Sequence, residues 1–243
     1  MIDLSPLERH EKIALGFSGG KDSLAVVYLL QPYLDRLAIY HLDTGDLLPE
    51  VMDVVDHVRG FAPNFITVRS DVMAWQAANG LPTDLLPFGS HPVGRAIGHE
   101  AARLVGRYDC CYSNLMLPLY QRVVSDGNTL LIRGTKHADP LRLPMADGEK
   151  NDAIELWLPI KDWSNAEVFD YLRSVDAPIS RIYDHVTNSP ECARCSAWWG
   201  EKRAAYLREY HPALFADYAA RLRIVADALT APLTMLAHEM EGI

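Results

Sequence analysis

Short apolar runs of strand length recur along the chain, and most are followed by a stretch with helical spacing. Residues 12–17, Lys-Ile-Ala-Leu-Gly-Phe, form the first run; Ser18-Gly19-Gly20 breaks it, and residues 22–30 then carry a helical pattern. Residues 36–42 and 65–68 read as two more buried strands, with a helix over 49–59 opened by Pro49. Residues 79–94 hold Gly80, Pro82, Pro87, Gly89, Pro92 and Gly94, which predicts a mobile loop. Helices are expected over 95–105 and 115–125, a fourth strand over 129–133, a polar loop on the ligand face over 139–152 and a fifth strand over 154–158. Ser164 and Glu167 have capping-box spacing before a helix carrying Val168 and Leu172, and two further helices follow over 197–210 and 213–229. Strands alternating with helices imply right-handed βαβ crossovers, so the fold class is α/β: a doubly wound, mostly parallel five-stranded sheet with a C-terminal helical extension. The expected organisation is a nucleotide-binding domain over 1–200 and an extension over 201–243 packed on it.

Composition narrows the classes. The chain has 243 residues, 49% of them hydrophobic, which suits a folded core, and no apolar run has the length of a membrane span. The start lacks a signal-peptide pattern, so a cytoplasmic protein without membrane partners is expected. A net charge of −9 argues against gripping nucleic acid through the overall field, although it leaves a nucleic acid substrate open. Four cysteines in a chain of this size do not make a disulfide scaffold.

The strand–turn–helix around Ser18, Gly19, Gly20, Lys21, Asp22 and Ser23 points backbone N–H groups and a helix dipole at one spot, which suits an anion. The glycines admit close approach, Lys21 adds a cation, and the two serines add hydroxyls. The spacing differs from a Walker loop. It resembles the SGGxDS loop of the PP-loop ATP-pyrophosphatase superfamily, also called adenine nucleotide alpha-hydrolase-like. Asp43, Thr44 and Gly45, followed by Pro49-Glu50, are similar to the DTG…PE segment of the phosphoadenosine phosphosulfate (PAPS)/APS reductase family. Leu158-Pro159-Ile160-Lys161-Asp162-Trp163 is similar to a further segment of that family. The resemblance implies that residues 18–23 and 43–45 bind an adenine nucleotide (ATP, APS or PAPS). It also implies that Lys136 and Arg142, with Lys21, hold sulfate or phosphate at the reacting end. Lys136 stands where the family has arginine, which removes the planar fork used for bidentate anion recognition.

The cysteines fall into two pairs, Cys110-Cys111 and the C-x-x-C of Cys192 and Cys195. Adjacent residues on a helix point about 100° apart, which suits neighbouring irons of a [4Fe–4S] cube better than one tetrahedral zinc. Zinc and unligated thiols stay as alternatives. The CC…CxxC arrangement resembles the cluster ligands of assimilatory APS reductases. Reductases of that family attack the sulfate sulfur with a cysteine near the C-terminus, whereas this sequence has no fifth cysteine. Three functions follow as expectations. The first is a reductase-type enzyme whose nucleophilic thiol comes from a thiol donor or partner protein. The second is an adenylating, pyrophosphate-releasing enzyme that uses Mg2+ in a sulfur-transfer or nucleic-acid modification pathway. The third is a nucleotide- and cluster-sensing module; self-association into a homo-oligomer is compatible with each.

Overall fold

The computed structural model describes residues 2–139, 146–151, 154–189, 192–199 and 202–241. Its strands are β1 (Ile13–Phe17), β2 (Leu37–Asp43), β3 (Phe65–Arg69), β4 (Leu81–Thr83), β5 (Leu104–Gly106), β6 (Leu130–Ile132), β7 (Lys150–Asn151) and β8 (Ile154–Trp157). The helices are α1 (Ser5–Arg9), α2 (Lys21–Leu29), α3 (Pro49–Phe61), α4 (Val72–Asn79), α5 (Pro92–Ala96), α6 (Arg107–Cys111), α7 (Leu117–Ser125), α8 (Asn165–Ser174), α9 (Arg203–Tyr210) and α10 (Pro212–Met240). Packing divides the chain into two compact units. The first holds residues 1–43, 47–70 and 117–183; the second holds 44–46, 71–116 and 184–243. Residues 201–243, expected as an extension, thus group with 71–116 in one unit.

The first unit is built on a six-stranded sheet of order β3-β2-β1-β6-β8-β7. All its pairings are parallel except β7 with β8. The five expected strands are β1, β2, β3, β6 and β8; the sixth is the two-residue antiparallel edge β7. Strand β1 is apolar and buried almost throughout, as expected of a central parallel strand covered on both faces. One face meets α2, α3 and α8 through Leu15, Leu24, Val54, Val58, Val168 and Leu172. The other face, with Ala14, Leu131 and Leu156, meets α7 through Val123. The strand order reverses between β1 and β6, so the loops after these two strands flank the topological switch point where open α/β sheets bind ligands. The capping box at α8 is present: Ser164 Oγ accepts from the Glu167 amide at 3.2 Å, and Glu167 Oε2 accepts from the Ser164 amide at 2.7 Å.

The second unit corrects two expectations. Residues 79–94 do not form a structureless loop: β4 pairs in parallel with β5, and α5 begins at Pro92. The dense glycines and prolines punctuate short elements here, with Gly80 at φ 124° turning the chain from α4 directly into β4. The helix expected over 95–105 stops after Ala96, close to Gly98 at φ 98°, and its last residues belong to β5. The opening of α4 carried a legible signal, an Asp71 cap whose Oδ1 accepts from the Ala74 amide at 2.9 Å. No helix among the described residues is long and apolar enough to cross a membrane.

Candidate functional site

In the first unit, the turn between β1 and α2 is as tight as its glycines demand. Gly19 has φ 81°, and a Cβ there would lie 2.8 Å from Val51 Cγ1. Gly134, after β6, packs on the first turn of α2 so closely that a Cβ would lie 2.6 Å from the Asp22 carbonyl carbon. The structure therefore brings Ser18–Ser23 and Lys136 together.

Both lysines are deeply buried and already paired. Lys21 Nζ lies 2.9 Å from Asp22 Oδ2, while Lys136 Nζ lies 2.5 Å from Asp22 Oδ1 and 2.9 Å from Asp139 Oδ1. Asp22 is thus a bridge between two cations, each with almost no solvent exposure (2% for Lys21 and 0% for Lys136). The loop amides are also engaged. The Ser18 amide donates to Ser23 Oγ at 3.2 Å, the Gly20 amide to Ser18 Oγ at 3.3 Å, and the Lys21 amide to the Tyr183 hydroxyl at 2.8 Å. Arg142 lies outside the described residues.

Beneath the loop, His41 on β2 shares a hydrogen bond through Nδ1 with the Phe17 carbonyl at 3.0 Å and is fully buried. Burial pushes its pKa down, against the opposing pull of that hydrogen bond, so the ring is neutral and fixes the strand end that launches the loop.

The DTG segment divides. Asp43 closes β2 in the first unit, and its carbonyl accepts from the Ser70 amide at 2.9 Å. Thr44, assigned to the nucleotide from sequence, belongs to the second unit, where its Oγ1 accepts from the Cys192 thiol at 3.7 Å. Asp46, which the sequence reading did not single out, holds the C-x-x-C turn. Its carbonyl accepts from the Ala193 amide at 2.6 Å, its carboxylate accepts from the Arg194 amide at 2.9 Å, and it pairs with the Arg194 guanidinium. Exposed Gly45 takes φ 75°, the left-handed turn that lets the segment reverse.

All four cysteines are thiols. Cys110, Cys192 and Cys195 share one apolar pocket with Val72, Val105 and Leu115, and Cys111 is half-buried. Gln76 Nε2 donates to Cys110 Sγ at 3.4 Å, and Arg221 donates to Gln76 Oε1. Because a guanidinium only donates, it fixes the amide with its oxygen toward Arg221 and its N–H toward sulfur. Burial pushes the Cys110 thiol up, and the Gln76 hydrogen bond works against that rise. Arg203 is 2% exposed; it donates to the carbonyls of Cys195 and Trp198, each at 2.6 Å, and its Nε and Nη1 have no hydrogen-bond partner among the described residues. Neither arginine forms an ion pair with a carboxylate among the described residues. No group of three or more His, Cys, Asp or Glu side chains among those residues forms a metal-binding arrangement. Gln76, Arg221 and Tyr183 were not singled out from sequence, since their partners lie 34 to 162 residues away; Arg203 was missed although its partners Cys195 and Trp198 are only eight and five residues away.

Residues 12–82, which span β1 through most of β4, match the family model of the phosphoadenosine phosphosulfate reductase domain. Over this stretch the chain resembles that family. The PAPS reductase domain match covers the glycine loop of residues 18–23 and the DTG segment. The chain is also similar to adenosine 5'-phosphosulfate reductase of Burkholderia cepacia, at 23% identity over 81% of this chain and 79% of that protein. The enzyme of the same name from Neisseria meningitidis serogroup A is 22% identical over 70% of each chain. Among solved structures, the PAPS reductase of Candida auris superimposes with a TM-score of 0.50 at 14% identity, over 71% of this chain and 77% of that one. That likeness shows the same fold as a PAPS reductase domain protein.

Proposed function

We propose that the chain is an enzyme of sulfonucleotide chemistry that binds an adenine nucleotide at residues 18–23 and Asp43, and a [4Fe–4S] cluster through Cys110, Cys111, Cys192 and Cys195. One observation carries the cluster reading. Beside the apolar cluster that gathers three thiols, Arg203 donates to the Cys195 carbonyl and Arg221 donates to Gln76, the residue whose amide meets Cys110; neither guanidinium has a carboxylate ion pair among the described residues. Arg203 is buried, and burying a cation without an anion is costly; a metal–thiolate group of net negative charge is the kind of neighbour that offsets it. Cysteine donors with an amide N–H already aimed at sulfur fit such a group. Bound there, the cluster supplies delocalised negative charge and a one-electron couple.

The chain's own residues do the rest. The glycine turn admits phosphate to the start of α2, Lys21 and Lys136 supply positive charge, and Asp22 keeps both ammonium groups oriented. With all four cysteines assigned to the cluster, the attacking thiolate comes from outside these residues. It bonds to the sulfate sulfur as the bond from sulfur to the phosphate-bound oxygen breaks, releasing AMP from APS or adenosine 3',5'-bisphosphate from PAPS; a second thiol then expels sulfite and leaves a disulfide. That same assignment favours a second reading, adenylation with release of pyrophosphate, which needs no protein thiol.

Oxygen-free purification tests the centre: near four irons and four acid-labile sulfides per chain are expected, and stoichiometric zinc would refute it. Sulfite released from APS or PAPS with an added thiol supports the reductase reading. Pyrophosphate from ATP instead supports adenylation, and binding without either product leaves a sensing module.

A further inference from the structure

The Lys21 amide is among the first N–H groups of α2, which have no partner within the helix and which phosphate oxygens take in helix-terminal anion sites. Here it donates to the Tyr183 hydroxyl, 162 residues away in sequence, at 2.8 Å. Gly20 approaches so closely that a Cβ there would lie 3.3 Å from that hydroxyl. The ring stands edge-on to Phe169 at 5.6 Å, and Lys21 Nζ sits 5.4 Å from its centroid. Tyr183 rides on a short 3-10 turn, Arg181–Asp184, tied to α3 where Arg181 Nη2 meets Glu50 Oε1 at 2.9 Å. The serine acceptors of the other loop amides belong to the loop itself and can rotate toward a ligand. Tyr183 alone among these acceptors arrives from a distant segment.

We propose that Tyr183 is the resident occupant of the phosphate loop, and that a phosphate-bearing nucleotide binds by displacing its hydroxyl from the Lys21 amide. This rests on the loop being a nucleotide site. A phosphate oxygen makes a charge-assisted bond to that amide, stronger than the neutral one it replaces, so the exchange favours the ligand. The half-buried ring can withdraw without opening the apolar core. The hydroxyl nevertheless competes, and the apparent affinity is lowered by the fraction of molecules in which it is seated.

Calorimetry with ATP and with AMP on the full chain, wild type and Tyr183→Phe, tests this. Phenylalanine keeps the ring contacts and loses only the hydroxyl bond, so a fall in melting temperature of about 2–4 °C is expected, with about fivefold tighter binding. Arg181→Gln, which loosens the turn and leaves the tyrosine in place, should move affinity in the same direction. If the wild type binds and Tyr183→Phe binds equally or more weakly, the displacement proposal is overturned while the nucleotide site stands. If neither protein binds, the nucleotide reading of the loop falls, and this inference with it.

Discussion

Replacing Lys136 by methionine removes a buried ammonium from between two carboxylates and keeps most of the side-chain volume. Removing one partner of a fully buried pair costs about 3–5 kcal/mol, because the charge left behind is unpaired. Here the residual penalty is smaller. Asp22 keeps Lys21 at 2.9 Å, Asp139 keeps the Lys136 amide at 2.7 Å, and the two carboxyl groups are 23% and 22% exposed, so water reaches both. The expected loss is about 2–3 kcal/mol, which for a chain of this size is a fall in melting temperature of about 4–12 °C. Asp22→Asn removes the bridge from the other side and should also destabilise. In the double variant the two losses should fall short of their sum by at least about 1 kcal/mol, since both act on one contact. Thermal unfolding of the four proteins followed by circular dichroism makes the comparison. Strict additivity, or a Lys136→Met loss below about 0.5 kcal/mol, would mean that the bridge is not a structural unit.

Gln76→Leu removes the N–H aimed at Cys110 Sγ. In iron-loaded protein it should keep the metal content and lower the midpoint potential by about 40 mV, the one-electron equivalent of about 1 kcal/mol, as read by potentiometric titration. Burial alone pushes the Glu155 carboxyl up, but hydrogen bonds from Arg9, His10 and Lys150 overcome it and hold its pKa below the ordinary value. The stability it contributes is therefore present above the unfolded-state pKa and is lost as pH falls through the folded one. Glu155→Gln should flatten that acid limb in unfolding curves taken between about pH 6 and pH 3. Ser164→Ala breaks the capping box of α8 and should cost about 1 kcal/mol in a denaturant melt.

The parallel sheet was legible because its central strands are short, wholly apolar and separated by helical spacing. The glycine turn between β1 and α2 was legible because it is local: six consecutive residues carry the turn, the helix start and the cation. Elements of two or three residues such as β4, β5 and β7 are too short to show a period, and the glycines and prolines around β4 speak for turns whichever structure they separate. The carboxylate partners of the two lysines were not legible, since the Lys136–Asp22 pair spans 114 residues. The cysteine surroundings were hidden for the same reason: Gln76 and Arg221 reach each other across 145 residues, and no local pattern marks either.

The Asp43–Thr44 junction bears on how the protein is made. The turn at Cys192 and Cys195 is held by Asp46, a residue translated almost 150 positions earlier. The unit around it is assembled from three separated stretches of chain, the last beginning only at residue 184. On the ribosome, the sheet of the first unit can close while this second body still lacks half its residues. Native contacts of such high sequence separation form late and slowly. Cys110 and Cys111 are thus translated about 80 residues before Cys192 and Cys195, so the four thiols proposed as cluster ligands can come together only once that last stretch is being made.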